Sequence, residues 1–156
     1  YEISKSEKAD IYSFNLFIGG CPLSLHYRNM ISDNKAYTLE MNGKSTGFKV
    51  SLKEALLNRE WDVITVQQVS SLSGDYDSYQ PYLDKLCEYV RLCSPKAKLV
   101  FHQTWAYEQG SQRLTEELGY ENYTDMFNDI KYSADKAAKA INADFIIPSG
   151  ELFVKL

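Results

Sequence analysis

Apolar runs of strand length occur four times along the chain: Tyr12 to Ile18, Val63 to Val66, Leu99 to Phe101 with its neighbours, and Phe145 to Ile147. Each is short and rich in β-branched or aromatic residues, which suit a pleated surface. Helical spacing fills the intervals between them. Tyr79, Tyr82, Leu83, Leu86, Val90 and Cys93 recur three and four residues apart and predict one apolar helix face. Tyr123, Met126, Phe127, Ile130, Ala134, Ala137, Ala138 and Ile141 form a second face over about five turns, with alanines small enough for close approach to a sheet. A shorter helix is predicted from Ser51, where Glu54 completes a capping box and Leu52, Ala55 and Leu56 turn inward.

Strands alternating with helices need crossover connections, so the pattern predicts an α/β fold: a parallel sheet with helices packed on its faces. Two stretches break the alternation. Ser32 to Val50 carries Asp33, Asn34, Asn42, Gly43 and Gly47, and predicts a small hairpin around Asn42 and Gly43. Glu108 to Asn122 reads as an irregular loop holding a short helix that ends at Gly119. No internal repeat, low-complexity tract or linker divides the 156 residues, which suit a single domain.

Charge narrows the partners. With 17 Lys+Arg against 21 Asp+Glu, a net charge of −4 and no basic run longer than two residues, neither nucleic acid nor an anionic membrane surface is expected as the main partner. No apolar run approaches the roughly 18 residues of a membrane helix. A small neutral or polar ligand fits better. The 12 Tyr exceed what a core of this size needs, so some rings are expected at the surface, where they suit sugar or partner contacts. Cys21, Cys87 and Cys93 are odd in number, and the last two fall on one predicted helix at different heights and faces, so no disulfide framework is expected. No charged segment followed by an apolar stretch marks a signal peptide, and the compartment stays open.

Ligands of open parallel sheets bind beyond the carboxyl ends of the strands. Those four exits read Gly19-Gly20-Cys21, Gln67-Gln68-Val69-Ser70-Ser71, His102-Gln103-Thr104-Trp105 and Pro148-Ser149-Gly150. Any one of them is an ordinary polar loop; the four together point to a site. Paired glycines most often only turn the chain, but they also allow a backbone amide to approach an oxyanion. Gln67 and Gln68 place at least one carboxamide toward the crest, one for bonding neighbouring loops and the other for a ligand. His26 and His102 are the only histidines, and such a residue is more often packed and hydrogen-bonded than a base. Cys21 and His102 as nucleophile and base lack an orienting third group. Trp105 and Tyr107 are packing residues or a platform for a sugar ring, which burial decides. Neither metal-ligand spacing nor a phosphate cradle is present, so no metal and no nucleotide cofactor is expected.

The segments Asn15 to His26, Trp61 to Ser70, His102 to Tyr107 and Ile146 to Gly150, taken in this order, resemble a bacterial branch of the SGNH (GDSL-like) hydrolases. The resemblance implies a flavodoxin-like three-layer α/β/α sandwich that hydrolyses esters, acetyl esters of carbohydrates among them, without metal or organic cofactor. It also implies a serine nucleophile after the family's first strand, and an aspartate and histidine near the C-terminus. A glycine and an amide side chain would complete the oxyanion hole, falling here on Gly19 or Gly20 and on Gln67 or Gln68, the latter in place of the usual asparagine. His26, Ser70, His102, Gln103, Trp105 and Tyr107 become candidates for the substrate pocket.

The departures lie at the ends. Tyr1 to Asp10 contain no apolar strand and no Gly-Asp-Ser or Gly-Asn-Ser block, Ser4 and Ser6 do not qualify as nucleophile, and no histidine follows His102. The expectation is therefore the core of an SGNH-type esterase, inactive as written and partial at both ends. Its central strand would be missing, leaving an interrupted sheet filled by another chain or by a separate piece of the same protein. The competing expectations are a non-catalytic glycan-binding module, and a scaffold in which Gln67, Gln68 and His102 are buried and mutually satisfied.

Overall fold

A computed structural model describes residues 10–154. The expectation of no strand in Tyr1 to Asp10 falls outside them, except at Asp10. The chain runs β1 (Phe14–Phe17), α1 (Leu23–Ser32), β2 (Tyr37–Met41), β3 (Lys44–Val50), α2 (Leu52–Leu57), β4 (Val63–Val66), α3 (Tyr82–Cys93), β5 (Lys98–Gln103), α4 (Tyr123–Ala140), β6 (Phe145–Pro148) and α5 (Ser149–Val154). Two 3-10 turns, Ser70–Leu72 and Tyr76–Tyr79, lead from β4 into α3.

Strands β4, β5 and β6 form a parallel sheet in that order, with Val66 beside Phe101 and Phe101 beside Ile146, so among the described residues it is continuous and not interrupted as expected. Helices α3 and α4 make its crossovers. The class is α/β, a parallel sheet flanked by helices, consistent with the flavodoxin-like arrangement. Strand pleating sends alternate residues to opposite faces. One face carries Ile64, Val66, Leu99, Phe101 and Ile146, which pack with Leu83, Leu86, Cys87 and Val90 of α3 and with Ala134, Ala137 and Ala138 of α4. On the other face Val63 and Phe145 stay 44% and 47% exposed, while Val100, between Thr65 and Phe145, is fully buried.

The strand within Tyr12 to Ile18 does not join this sheet, contrary to the four-strand expectation. Instead β1 pairs antiparallel with β2, and β2 with β3, in a separate sheet. A four-residue apolar strand is compatible with either sheet; the partner decides, and here it is the hairpin. Asn42 and Gly43 both take positive φ, 50° and 77°, the turn geometry that the Asn-Gly pair predicts. Asn42 also fixes the third strand, accepting from the Ser13 amide at 3.0 Å through its side chain and donating its own amide to the Ser13 carbonyl at 2.8 Å. The small sheet is joined to the rest at Trp61. Its ring meets Phe14 edge to face at 5.2 Å, and its Nε1 donates to the Ala55 and Leu56 carbonyls at the end of α2.

The amphipathic helices follow their periodicity. Tyr79 lies just before α3, in the 3-10 turn, and is buried against Phe101 at a ring separation of 6.0 Å. Arg91 fastens α3 to the end of α4 by donating to the Ile141 and Asn142 carbonyls at 2.6 and 2.9 Å. In the loop after β5 the expected short helix is a single wide turn, Arg113–Glu117, with Gly119 at φ 73° behind it. Helices α1 and α5 have no counterpart in the expected pattern.

Candidate functional site

The four strand exits divide between the two sheets. Gly19 and Gly20 form the exposed turn after β1, with Gly20 at φ 62°, whereas the other three exits lie side by side at the carboxyl end of the parallel sheet. The link between the two groups is Gln68. Its Oε1 accepts from the Leu23 amide at 3.0 Å and from Val69 at 2.9 Å, and its Nε2 donates to the carbonyl and hydroxyl of Ser78 at 3.2 and 3.1 Å. Gln68 is 1% exposed, and its carboxamide is fully engaged in joining the β4 exit to the start of α1 and the turn before α3. It is an internal brace.

Gln67, one residue earlier, points to the opposite face and is exposed. Its Oε1 lies 2.5 Å from His102 Nδ1, and His102 Nε2 lies 2.8 Å from the Ser149 hydroxyl. Three adjacent strand ends thus supply one hydrogen-bonded row. Burial lowers the pKa of His102 below its ordinary value, which favours the neutral imidazole. Ser149 was not singled out as a site residue in the sequence. Its signal was present only in the fourth polar exit, where a hydroxyl follows the last strand.

The remaining candidates are placed differently. His26 is half-buried and occupied by Tyr37, with Nδ1 2.9 Å from the Tyr37 hydroxyl and the rings stacked at 5.5 Å; burial lowers its pKa. Ser70 opens a 3-10 turn, where its carbonyl accepts from the Ser73 hydroxyl at 2.8 Å. Gln103 is 2% exposed and its Oε1 has no partner among the described residues. Cys21 and His102 do not pair: the imidazole is taken by Gln67 and Ser149, and burial raises the Cys21 thiol above its usual range. No cluster of metal-ligating side chains occurs among the described residues, and no helix there is long and apolar enough to cross a membrane.

Beside the row lies an open cleft of about 400 Å³, lined by Trp105, Glu108, Tyr123, Gly150 and Phe153 among others. Trp105 is 43% exposed and its ring lies 5.1 Å from that of Phe153. Tyr107, also on the lining, donates its amide to Met126 Sδ at 3.3 Å. Gly150 permits the approach of α5 to β5. A side chain there would meet the Thr104 carbonyl, Phe127 at 3.1 Å and Gln103 Oε1 at 3.3 Å.

These features define an α/β protein whose parallel sheet carries a polar row and an aromatic cleft at the end where such folds bind ligands. Residues 1–154 match the family described as Domain of unknown function (DUF4886), and the chain belongs to that family. A crystal structure of a DUF4886 family protein from Bacteroides uniformis ATCC 8492 is similar at 34% identity and a TM-score of 0.88, covering 96% of this chain and 60% of that one. A second, partial likeness is to a "putative SGNH hydrolase" from Slackia heliotrinireducens, at 26% identity and a TM-score of 0.50, covering 60% of this chain and 49% of that one. The chain thus spans less than two thirds of either structure's length. No curated protein matches it.

Proposed function

We propose that this chain forms the core of an SGNH-type ester hydrolase acting on small acyl esters of polar alcohols, acylated carbohydrates in particular. The observation that carries the reading is the contrast between the two glutamines. Gln68 has no capacity left for a ligand, whereas Gln67 stands exposed at the crest with its Nε2 unpartnered among the described residues. Ester hydrolysis places negative charge on the carbonyl oxygen in the transition state, and a fixed amide donor there stabilises it. Gln67 is assigned that role, and the aromatic cleft the role of holding the alcohol portion, with Trp105 as a ring platform and Glu108 as an acceptor for hydroxyls. The nucleophile and its acid-base pair are assigned to polypeptide outside these 156 residues, and no metal or organic cofactor is invoked.

The test is hydrolysis of acetyl and short acyl esters by the product of the whole gene and by the 156-residue chain. Turnover by the longer protein alone is expected. Comparable turnover by the 156-residue chain would overturn the placement of the nucleophile, and none by either would overturn the hydrolase reading. The cleft also supports a second reading, a non-catalytic glycan-binding module. That reading requires oligosaccharides to change Trp105 fluorescence with no ester turnover by the whole protein.

A further inference from the structure

A carboxamide presents either a donor or an acceptor, according to which of its two ends is tied back into the protein. For Gln67 that choice is coupled to two other residues. Its Oε1 faces His102 Nδ1 at 2.5 Å, and the other ring nitrogen faces the Ser149 hydroxyl at 2.8 Å. A carbonyl oxygen only accepts, so Nδ1 must carry the imidazole hydrogen. A neutral ring then has a bare lone pair at Nε2, and the Ser149 hydroxyl must donate to it. The row therefore has one direction throughout: Ser149 donates to His102, His102 donates to Gln67, and both hydrogens of Gln67 Nε2 are left without a partner among the described residues. Reversing it would turn the amide over, with Nε2 donating to a bare Nδ1 and the carbonyl oxygen at the crest, where it would repel an oxyanion.

We propose that His102 and Ser149 are positioning residues, which hold the Gln67 carboxamide with its NH2 group outward as a hydrogen-bond donor. The catalytic consequence rests on the ester-hydrolase reading; the orientation does not. Three different strand ends contribute one residue each, so the row is held by the sheet, and chains of hydrogen bonds polarise each successive donor. Burial of His102 favours the neutral ring that the row requires. His102 and Ser149 also account for what Gln67 lacks by itself. An exposed glutamine side chain keeps several rotamers, and a donor that must be ordered at the moment of reaction loses much of its effect.

The experiment reads the orientation and the activity separately, on the product of the whole gene. Nitrogen NMR on histidine-labelled protein, with the His102 signals assigned by their loss in His102→Leu, reports the tautomer. His102 is expected to carry its hydrogen on Nδ1, the less common form of neutral histidine, and Ser149→Ala is expected to return it toward the Nε2–H form. In ester hydrolysis Ser149→Ala is expected to lower kcat roughly fivefold at little change in KM, as for the loss of one neutral hydrogen bond. Ser149→Thr, which keeps the hydroxyl, is expected to restore it. His102→Asn retains an NH donor and is expected to keep more activity than His102→Leu. An Nε2–H tautomer in the unaltered protein, or a Ser149→Ala protein with unchanged tautomer and kcat, would overturn the proposal. An Nδ1–H tautomer in a protein without esterase activity would support the row and remove the hydrolase reading instead.

Discussion

Gln67 and Gln68 are chemically identical neighbours with opposite tasks, and the period of the strand makes them so. Gln68 continues the inward set Ile64 and Val66, and its polar ends meet Leu23, Val69 and Ser78; Gln67 continues the outward set and meets His102. Removing the inner carboxamide leaves buried donors and acceptors unpaired, at a cost of about 1 to 3 kcal/mol each where water does not replace it. Gln68→Ala is therefore expected to lower the urea midpoint clearly, and Gln67→Ala to leave it within the small range of a surface substitution. Equal midpoints for the two variants would contradict the brace assigned to Gln68. The sequence predicts one carboxamide for the neighbouring loops and one for a ligand, without distinguishing which is which. Which of them faces the ligand depends on the parity of the strand against its core, and Thr65 and Val66 fix that only once β5 is beside them. Ser149 was harder still to find, because a lone serine after a strand is an ordinary loop residue until a histidine from the next strand faces it.

At the scale of elements, legibility followed the strength of the apolar face. Helices α3 and α4 have long, regular faces whose members are nearly all buried, whereas α1 buries only Leu23 and Asn29 and carries His26 and Arg28 among its middle turns. Its existence depends on what it packs against. The start of α2 is the opposite case, since both halves of its capping box are local: the Glu54 amide donates to Ser51 Oγ at 3.2 Å, and the Ser51 amide donates to Glu54 Oε2 at 3.0 Å. Ser51 is 1% exposed. Ser51→Ala is expected to cost about 1 kcal/mol in equilibrium unfolding, the usual worth of an N-cap, and Ser51→Asp to recover most of it. Strand β1 shows the limit of a purely local reading, because Phe14 to Phe17 look the same in a parallel and an antiparallel sheet.

The whole molecule is asymmetric about its parallel sheet. Sheets of this kind are ordinarily covered on both faces, because every crossover lays a helix against one of them. Here the helical layer packs on Ile64, Leu99 and Phe101, while Val63 and Phe145 on the reverse face remain about half exposed, and β4 pairs only with β5 among the described residues. The Bacteroides relative is longer, this chain spanning 60% of it at a TM-score of 0.88. On the proposed function, which assigns the nucleophile to polypeptide outside these 156 residues, the expected occupant of the free edge of β4 is a strand of that polypeptide. The row of Gln67, His102 and Ser149 opens on that same face, so a segment that covers Val63 would also border the crest where Gln67 is proposed to meet the oxyanion. Hydrogen exchange tests this directly, since unpaired edge amides exchange with little protection and paired ones in a core resist. In the product of the whole gene, the β4 amides not bonded to β5 are expected to be strongly protected, and in the 156-residue chain to exchange fast. Fast exchange at those amides in both proteins would leave β4 a true edge, and would remove the reason for placing the nucleophile-bearing segment beside Gln67.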